Sequence, residues 1–185
     1  MQEYPAEEVA RVSRGNERLS RVLALSFVLA VLAAEPDACP AELFRIERSK
    51  NANVVLYEAK PGKETALDPD DPVSASWLLL ASTGKRESLT FFEKLFAYGF
   101  EVRLARSAQS AVLTLKALRG RTIRVATHGG CLAAFGSISG AEVVLKRVFV
   151  TTDERGAAPS VTRIELFGVD PVTGEPRSEK IPAGK

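Results

Sequence analysis

Phe100-Glu101-Val102-Arg103-Leu104 alternates apolar and charged residues one for one, and that alternation decides the fold. Successive side chains of a strand point to opposite faces. Phe100, Val102 and Leu104 therefore share one face and Glu101 and Arg103 the other, as in a sheet with a core side and a water side. The period of two recurs outward from this stretch. Leu113 and Leu115 alternate with Thr114 and Lys116, Ile164 and Leu166 with Arg163 and Glu165, and Phe44 and Ile46 with Arg45 and Glu47. Residues 53–58, 73–80, 122–127 and 143–151 are rich in Val, Ile, Leu and aromatics and also read as strands. The stretch 143–150 is apolar on both faces apart from Lys146 and Arg147, which marks a central strand.

The punctuation agrees. Pro61-Gly62-Lys63 and Asp68-Pro69-Asp70-Asp71-Pro72 enclose a loop, Arg119-Gly120 and Arg155-Gly156 mark turns, and Asp170-Pro171-Val172-Thr173-Gly174 closes a last hairpin. Strands at this spacing predict a mainly β protein, an antiparallel β-barrel or β-sandwich of roughly eight to ten strands. One short helix, over 90–98, interrupts them. Thr90 followed by Glu93 is a capping box, and Gly99 supplies a left-handed stop. Phe91, Phe92, Leu95, Phe96 and Tyr98 leave it few charged positions. A helix so apolar is expected to plug a barrel end or cover a sheet, with Phe92 and Phe96 buried.

Upstream, residues 22–34 form an uncharged apolar run that follows Arg11, Arg14, Arg18 and Arg21 and ends in Ala33 and Ala34 before Glu35-Pro36-Asp37. A basic approach, a short apolar segment and small residues at its exit are the parts of a secretory signal. The run falls short of the roughly 20 apolar residues that span a bilayer core. Glu3, Glu7, Glu8 and Glu17 offset the arginines, so a later start of translation, an uncleaved anchor and a packed N-terminal helix stand as alternatives. On the signal reading, residues 1–34 are removed, 35–42 form a flexible mature N-terminus and 43–182 form a single β domain. The protein is then exported to the periplasm or beyond, with no membrane span remaining.

The chain has 185 residues and a formal net charge of +2. Basic and acidic residues are interspersed, which gives no reason to expect nucleic acid or an anionic membrane as partner; a small molecule or another envelope protein is the expected partner class. Cys39 and Cys131 either form a disulfide, as an oxidising compartment allows, or remain a free thiol and a buried apolar residue. Two distant cysteines and one histidine do not suggest a metal site, and no cofactor is expected.

The densest polar stretch, Arg45-Ile46-Glu47-Arg48-Ser49-Lys50-Asn51-Ala52-Asn53, lies between two strands. By alternation Arg48 shares the side of Phe44 and Ile46. It reads either as an anion-binding corner, with Arg48 as a bidentate clamp and Asn51 or Asn53 donating amides, or as an ordinary hairpin. From Phe44 through Asn53 this stretch resembles the opening of a bacterial family of secreted proteins known only as a domain of unknown function. Asp71-Pro72-Val73 with Trp77, then Glu87 and Leu89, then Phe96-Ala97-Tyr98-Gly99 are similar to its later blocks. In that family an aromatic often precedes the tryptophan, where this chain has Ser76. The resemblance covers 43–182 and implies no activity, so it carries over no catalytic residue.

Thr127-His128-Gly129-Gly130-Cys131 reads as a glycine-rich hairpin, with a Cys–His nucleophile pair as the sharper alternative. Asp68, Asp70 and Asp71 read as a solvated acidic turn rather than a calcium loop. Trp77 shares a face with Val73, Ala75 and Leu79, which predicts a buried indole with an acceptor for its N–H. The function expected is a non-catalytic binding or structural module of the bacterial envelope. Arg48, Asn51, Asn53, Trp77 and Tyr98 would be its ligand contacts. The rival is a small hydrolase-like or other enzyme using the Arg48/Asn51 or the His128/Cys131 corner.

Overall fold

The computed structural model describes residues 39–62, 67–106, 108–118, 120–153, 155 and 160–182. The expected signal segment, 1–34, lies outside them. Eleven strands and one helix follow in chain order: β1 (Glu42–Arg48), β2 (Asn51–Ala59), β3 (Val73–Leu78), β4 (Arg86–Ser88), α1 (Phe91–Phe96), β5 (Phe100–Leu104), β6 (Ser110–Leu115), β7 (Thr122–His128), β8 (Cys131–Ile138), β9 (Ala141–Asp153), β10 (Ser160–Val169) and β11 (Pro176–Pro182). The protein is mainly β. All eleven strands belong to one sheet, with a nine-strand path β4-β3-β2-β1-β9-β8-β7-β6-β5 that curls into a half-barrel.

The central position read into 143–150 has a concrete cause. Val144 pairs with Val169 of β10 on one edge and Phe135 of β8 on the other; Val148 pairs with Leu166 of β10 and Ile46 of β1. One edge of β9 is thus shared, β8 taking its first residues and β1 its later ones. Val143, Val144, Leu145, Val148 and Val150 are buried. Lys146 is exposed, and Arg147 lies over the Phe167 ring at 4.0 Å. The β1–β9 ladder is parallel, so the sheet is mixed rather than wholly antiparallel. Alternation sets which face a residue takes; it does not set which strand lies alongside.

Inside the curl, the Phe44 and Tyr57 rings stack at 4.5 Å and the Phe100 ring meets Tyr57 edge-on at 5.7 Å. Phe44 and Tyr57 are directly opposed in the β1–β2 ladder. The Tyr57 hydroxyl donates to the Tyr98 carbonyl at 2.8 Å, and burial pushes this phenol far above its ordinary range. From Cys39 onward the segment expected to be flexible is held. Cys39 is joined to Cys131, with Cα atoms 5.3 Å apart, and the Ala41 carbonyl accepts from Ala59 N–H.

The helix departs from expectation. Its capping box is present: Glu93 N–H donates to Thr90 Oγ1 while the Glu93 carboxylate accepts from Thr90 N–H. Yet α1 buries no residue, and Phe91, Phe92 and Phe96 are 72%, 69% and 73% exposed. Phe92 and Phe96 therefore do not plug the barrel. With six residues the helix makes fewer than two turns, too few to present a wide apolar stripe inward. Gly99 also acts otherwise than expected. It is not among the glycines with positive φ, and its role is close approach: a Cβ there would lie 1.7 Å from the Lys94 carbonyl oxygen.

Candidate functional site

Trp77, Tyr98 and Arg48, placed on three separate elements, come together beside α1. On β3, Trp77 is opposed by Val55 on one side and Glu87 on the other, and its half-buried indole packs against the core. The indole N–H donates to Glu93 Oε1 at 2.9 Å. Glu93 Oε2 in turn accepts from Thr90 N–H and Oγ1, both at 2.8 Å. One carboxylate thus caps the helix and pins it to the sheet. Partial burial pushes this carboxyl up, but the bonds from Thr90 and Trp77 outweigh it and hold the group below its ordinary range.

Tyr98 follows the helix and meets the Trp77 ring edge-on, with centroids 5.2 Å apart. It is buried, and burial pushes its phenol above the ordinary tyrosine value. The Arg48 guanidinium opposes that shift through its charge and a hydrogen bond, while the Glu93 charge adds to it. Arg48 reaches Tyr98 because it ends β1 on the inward parity, as the alternation implied.

Asn51 lies opposite Arg48 in the β1–β2 ladder, and both asparagines accept local backbone hydrogen bonds. Asn51 Oδ1 accepts from Asn53 N–H at 2.9 Å, and Asn53 Oδ1 accepts from Ala81 N–H at 3.0 Å. Their amides shape the β1–β2 hairpin and tie it to the turn after β3. His128 is exposed, its ring edge-on to Phe135 at 5.7 Å, and the Cys131 sulfur is bonded to Cys39. A thiolate nucleophile at that corner is therefore removed by the disulfide. Gly129 and Gly130 adopt φ of 57° and 84°, the left-handed conformation that a two-residue hairpin turn demands. The acidic loop is a turn: Asp68 Oδ1 accepts from Asp70 N–H, and Asp71 pairs with Lys60.

Tyr98 lies at the wall of a groove of about 540 Å³, bounded by β3, α1 and the end of β6. Three lysines, Lys60, Lys94 and Lys116, line it, against Asp71 as the carboxylate; Ser74 and Ser88 add hydroxyls. Lys60 is paired with Asp71, and Lys116 Nζ donates to the Leu95 carbonyl at 3.2 Å. Lys94 makes no ion pair among the described residues. On the other flank of α1, a hollow of about 460 Å³ is walled by Leu95, Phe96, Glu101 and again Lys116. Sequence reading missed all three lysines. They stand far apart in the chain in unremarkable contexts, and only the fold brings them together.

Among the described residues no helix is long and apolar enough to cross a membrane. No curated protein and no solved structure matches the chain. A family model described as a domain of unknown function (DUF4833) matches residues 44–180, starting at Phe44 within β1 and running through the tryptophan and the Phe96–Gly99 block. Since that match takes in well over half of the chain, this protein belongs to the DUF4833 family.

Proposed function

We propose that this chain is an exported, non-catalytic binding domain of the bacterial envelope that takes an anionic ligand in the groove beside α1. The observation that carries the reading is the convergence of Lys60, Lys94 and Lys116 on a groove in which Asp71 is the opposing carboxylate. A cleft lined by one sign of charge focuses its field and concentrates counter-ions of the other sign. The carboxylates nearby are already committed, Asp71 to Lys60 and Glu93 to Thr90 and Trp77, which favours recognition over acid–base chemistry. The basic approach and apolar run of residues 11–34 support export, and the Cys39–Cys131 bond is of the kind that persists in oxidising compartments.

Trp77 is the single tryptophan and abuts Tyr98 in the groove wall, so its emission serves as the reporter. Titration with pyrophosphate is expected to change that emission saturably. The response should weaken as salt rises, because exposed charges are screened beyond about 8 Å at physiological ionic strength. Lys94→Glu with Lys116→Glu is expected to abolish it. A flat titration, or one unchanged by those substitutions, would sink the anion reading. Export is tested separately: N-terminal sequencing of the secreted or periplasmic protein is expected to begin near residue 34 or 35, and a full-length cytoplasmic chain would overturn it.

A further inference from the structure

We propose that the anionic surface this groove meets is a lipid bilayer, with Phe91, Phe92 and Phe96 entering its interfacial layer and Lys94 and Lys116 contacting headgroup phosphates. The inference rests on the anion-binding reading of the groove and adds to it the exposed face of α1. Single exposed apolar residues are normal, but three phenylalanines about 70% exposed beside the 42%-exposed Leu95, all within six residues, form a contiguous patch. The rings pack on one another rather than on the core. Phe91 meets Phe92 edge-on at 5.8 Å, and Phe92 and Phe96 lie parallel at 6.3 Å.

At 3.6 residues per turn, Phe91, Leu95, Phe92 and Phe96 fall within an arc of about 140°, with Lys94 about 60° beyond one edge and Glu93, held by Thr90 and Trp77, about 60° beyond the other. Lys116 reaches the C-terminal end of the helix through the Leu95 carbonyl. An apolar aromatic face bordered by lysines is the composition of elements that lie in a membrane interface. The patch is also presented rigidly, since the Thr90–Glu93 box, the Glu93–Trp77 bond and the close approach at Gly99 all fix α1. The charge pattern disfavours a second copy as occupant. An antiparallel two-fold contact through α1 would bring the Lys94 edges of both chains together, and like charges across an interface are unfavourable.

The test is co-sedimentation of the full chain with vesicles of pure phosphatidylcholine and of equimolar phosphatidylcholine and phosphatidylglycerol. Binding to the anionic vesicles is expected to be about tenfold the stronger, given the contribution of each lysine near such a surface. Phe91→Ser with Phe92→Ser and Phe96→Ser is expected to lower it by about tenfold, since aromatic insertion supplies the apolar part. Because these side chains are exposed, the variant should keep its melting temperature. Lys94→Glu with Lys116→Glu is expected to erase the preference for phosphatidylglycerol. Equal binding by wild type and the triple variant, or none by either, would overturn the proposal. So would a solution dimer that the triple variant dissolves. A retained pyrophosphate response alongside failed vesicle binding would remove the lipid and leave the groove, whereas loss of both would remove the groove as well.

Discussion

β2 and α1 carry comparably apolar sequences and meet opposite fates. From Val54 to Ala59 six consecutive residues of β2 are buried, Glu58 among them; in α1, with four apolar residues in six, none is. The difference is one of partners. β2 is flanked by β1 and β3 along most of its length, so its backbone groups are satisfied on both edges while its side chains are covered on both faces. The helix satisfies its own backbone and needs no neighbour for that. It is tied to the sheet by one carboxylate, one ring, one glycine and the Lys116 ammonium, with its phenylalanines turned outward. Apolarity shows that a residue gains from burial; the covering element must come from elsewhere in the chain.

That contrast is broken or sharpened first at its buried pole. Tyr57→Ala removes a fully buried ring that stacks on Phe44 and bonds the Tyr98 carbonyl. It is expected to cost about 3–5 kcal/mol in denaturant melts, as other buried aromatic truncations do. A loss below about 1 kcal/mol would contradict the stacked core. Tyr57→Phe isolates the hydroxyl and is expected to cost about 1–3 kcal/mol through the orphaned carbonyl.

Next comes the joint between the two regions. Gly99→Ala sets a Cβ 1.7 Å from the Lys94 carbonyl oxygen, a backbone atom that cannot swing aside. The end of α1 must move, at an expected cost of about 1–3 kcal/mol, the usual range for overpacking. Unchanged stability together with unchanged Trp77 emission would show that the helix does not approach there.

What the sequence revealed follows the same division. β5, β6 and β10 were legible because strict alternation survives wherever one face meets water. β8, with Ala133, Ala134 and Gly136, carries little alternation, and the exposed three-residue β4 carries none, so neither signals itself. The parallel pairing of β1 with β9 joins residues about a hundred positions apart, and no local pattern encodes it. Of the contacts expected from sequence, Tyr98 walls the groove, while Trp77 and Arg48 stand against Tyr98 outside the groove lining. Asn51 and Asn53 have their side-chain oxygens engaged by the backbone N–H groups of Asn53 and Ala81. The lysines carried no signal, since each is an ordinary surface residue until the fold gathers them.

The carboxylate that holds the helix offers a smaller test. Glu93→Ala deletes the cap partner and the indole acceptor and is expected to cost about 1 kcal/mol, a typical cap loss. The same bonds give a pH dependence. The folded carboxyl sits below its ordinary value, so its contribution is present above the unfolded value, about 4.3, and is lost as pH falls through the folded one. Trp77 emission is expected to move in that acid window, and the shift is expected to vanish in Glu93→Gln. A shift that persists in Glu93→Gln would assign it to another group.

The smallest expected effect lies at the exposed pole and is the most decisive for the comparison. Phe92→Ala and Phe96→Ala remove side chains that are 69% and 73% exposed and pack on neighbouring rings of the same helix rather than on the core. Little apolar surface returns to water that was not already there, so each is expected to change stability by no more than about 0.5 kcal/mol. Sequence alone predicted the reverse, a loss on the scale of Tyr57→Ala, because a helix this apolar ordinarily faces a core. A measured loss of about 3 kcal/mol, the scale of a buried phenylalanine, would place the helix back on the sheet and take away the surface offered to a bilayer. A near-zero value leaves three aromatic rings whose placement folding does not require.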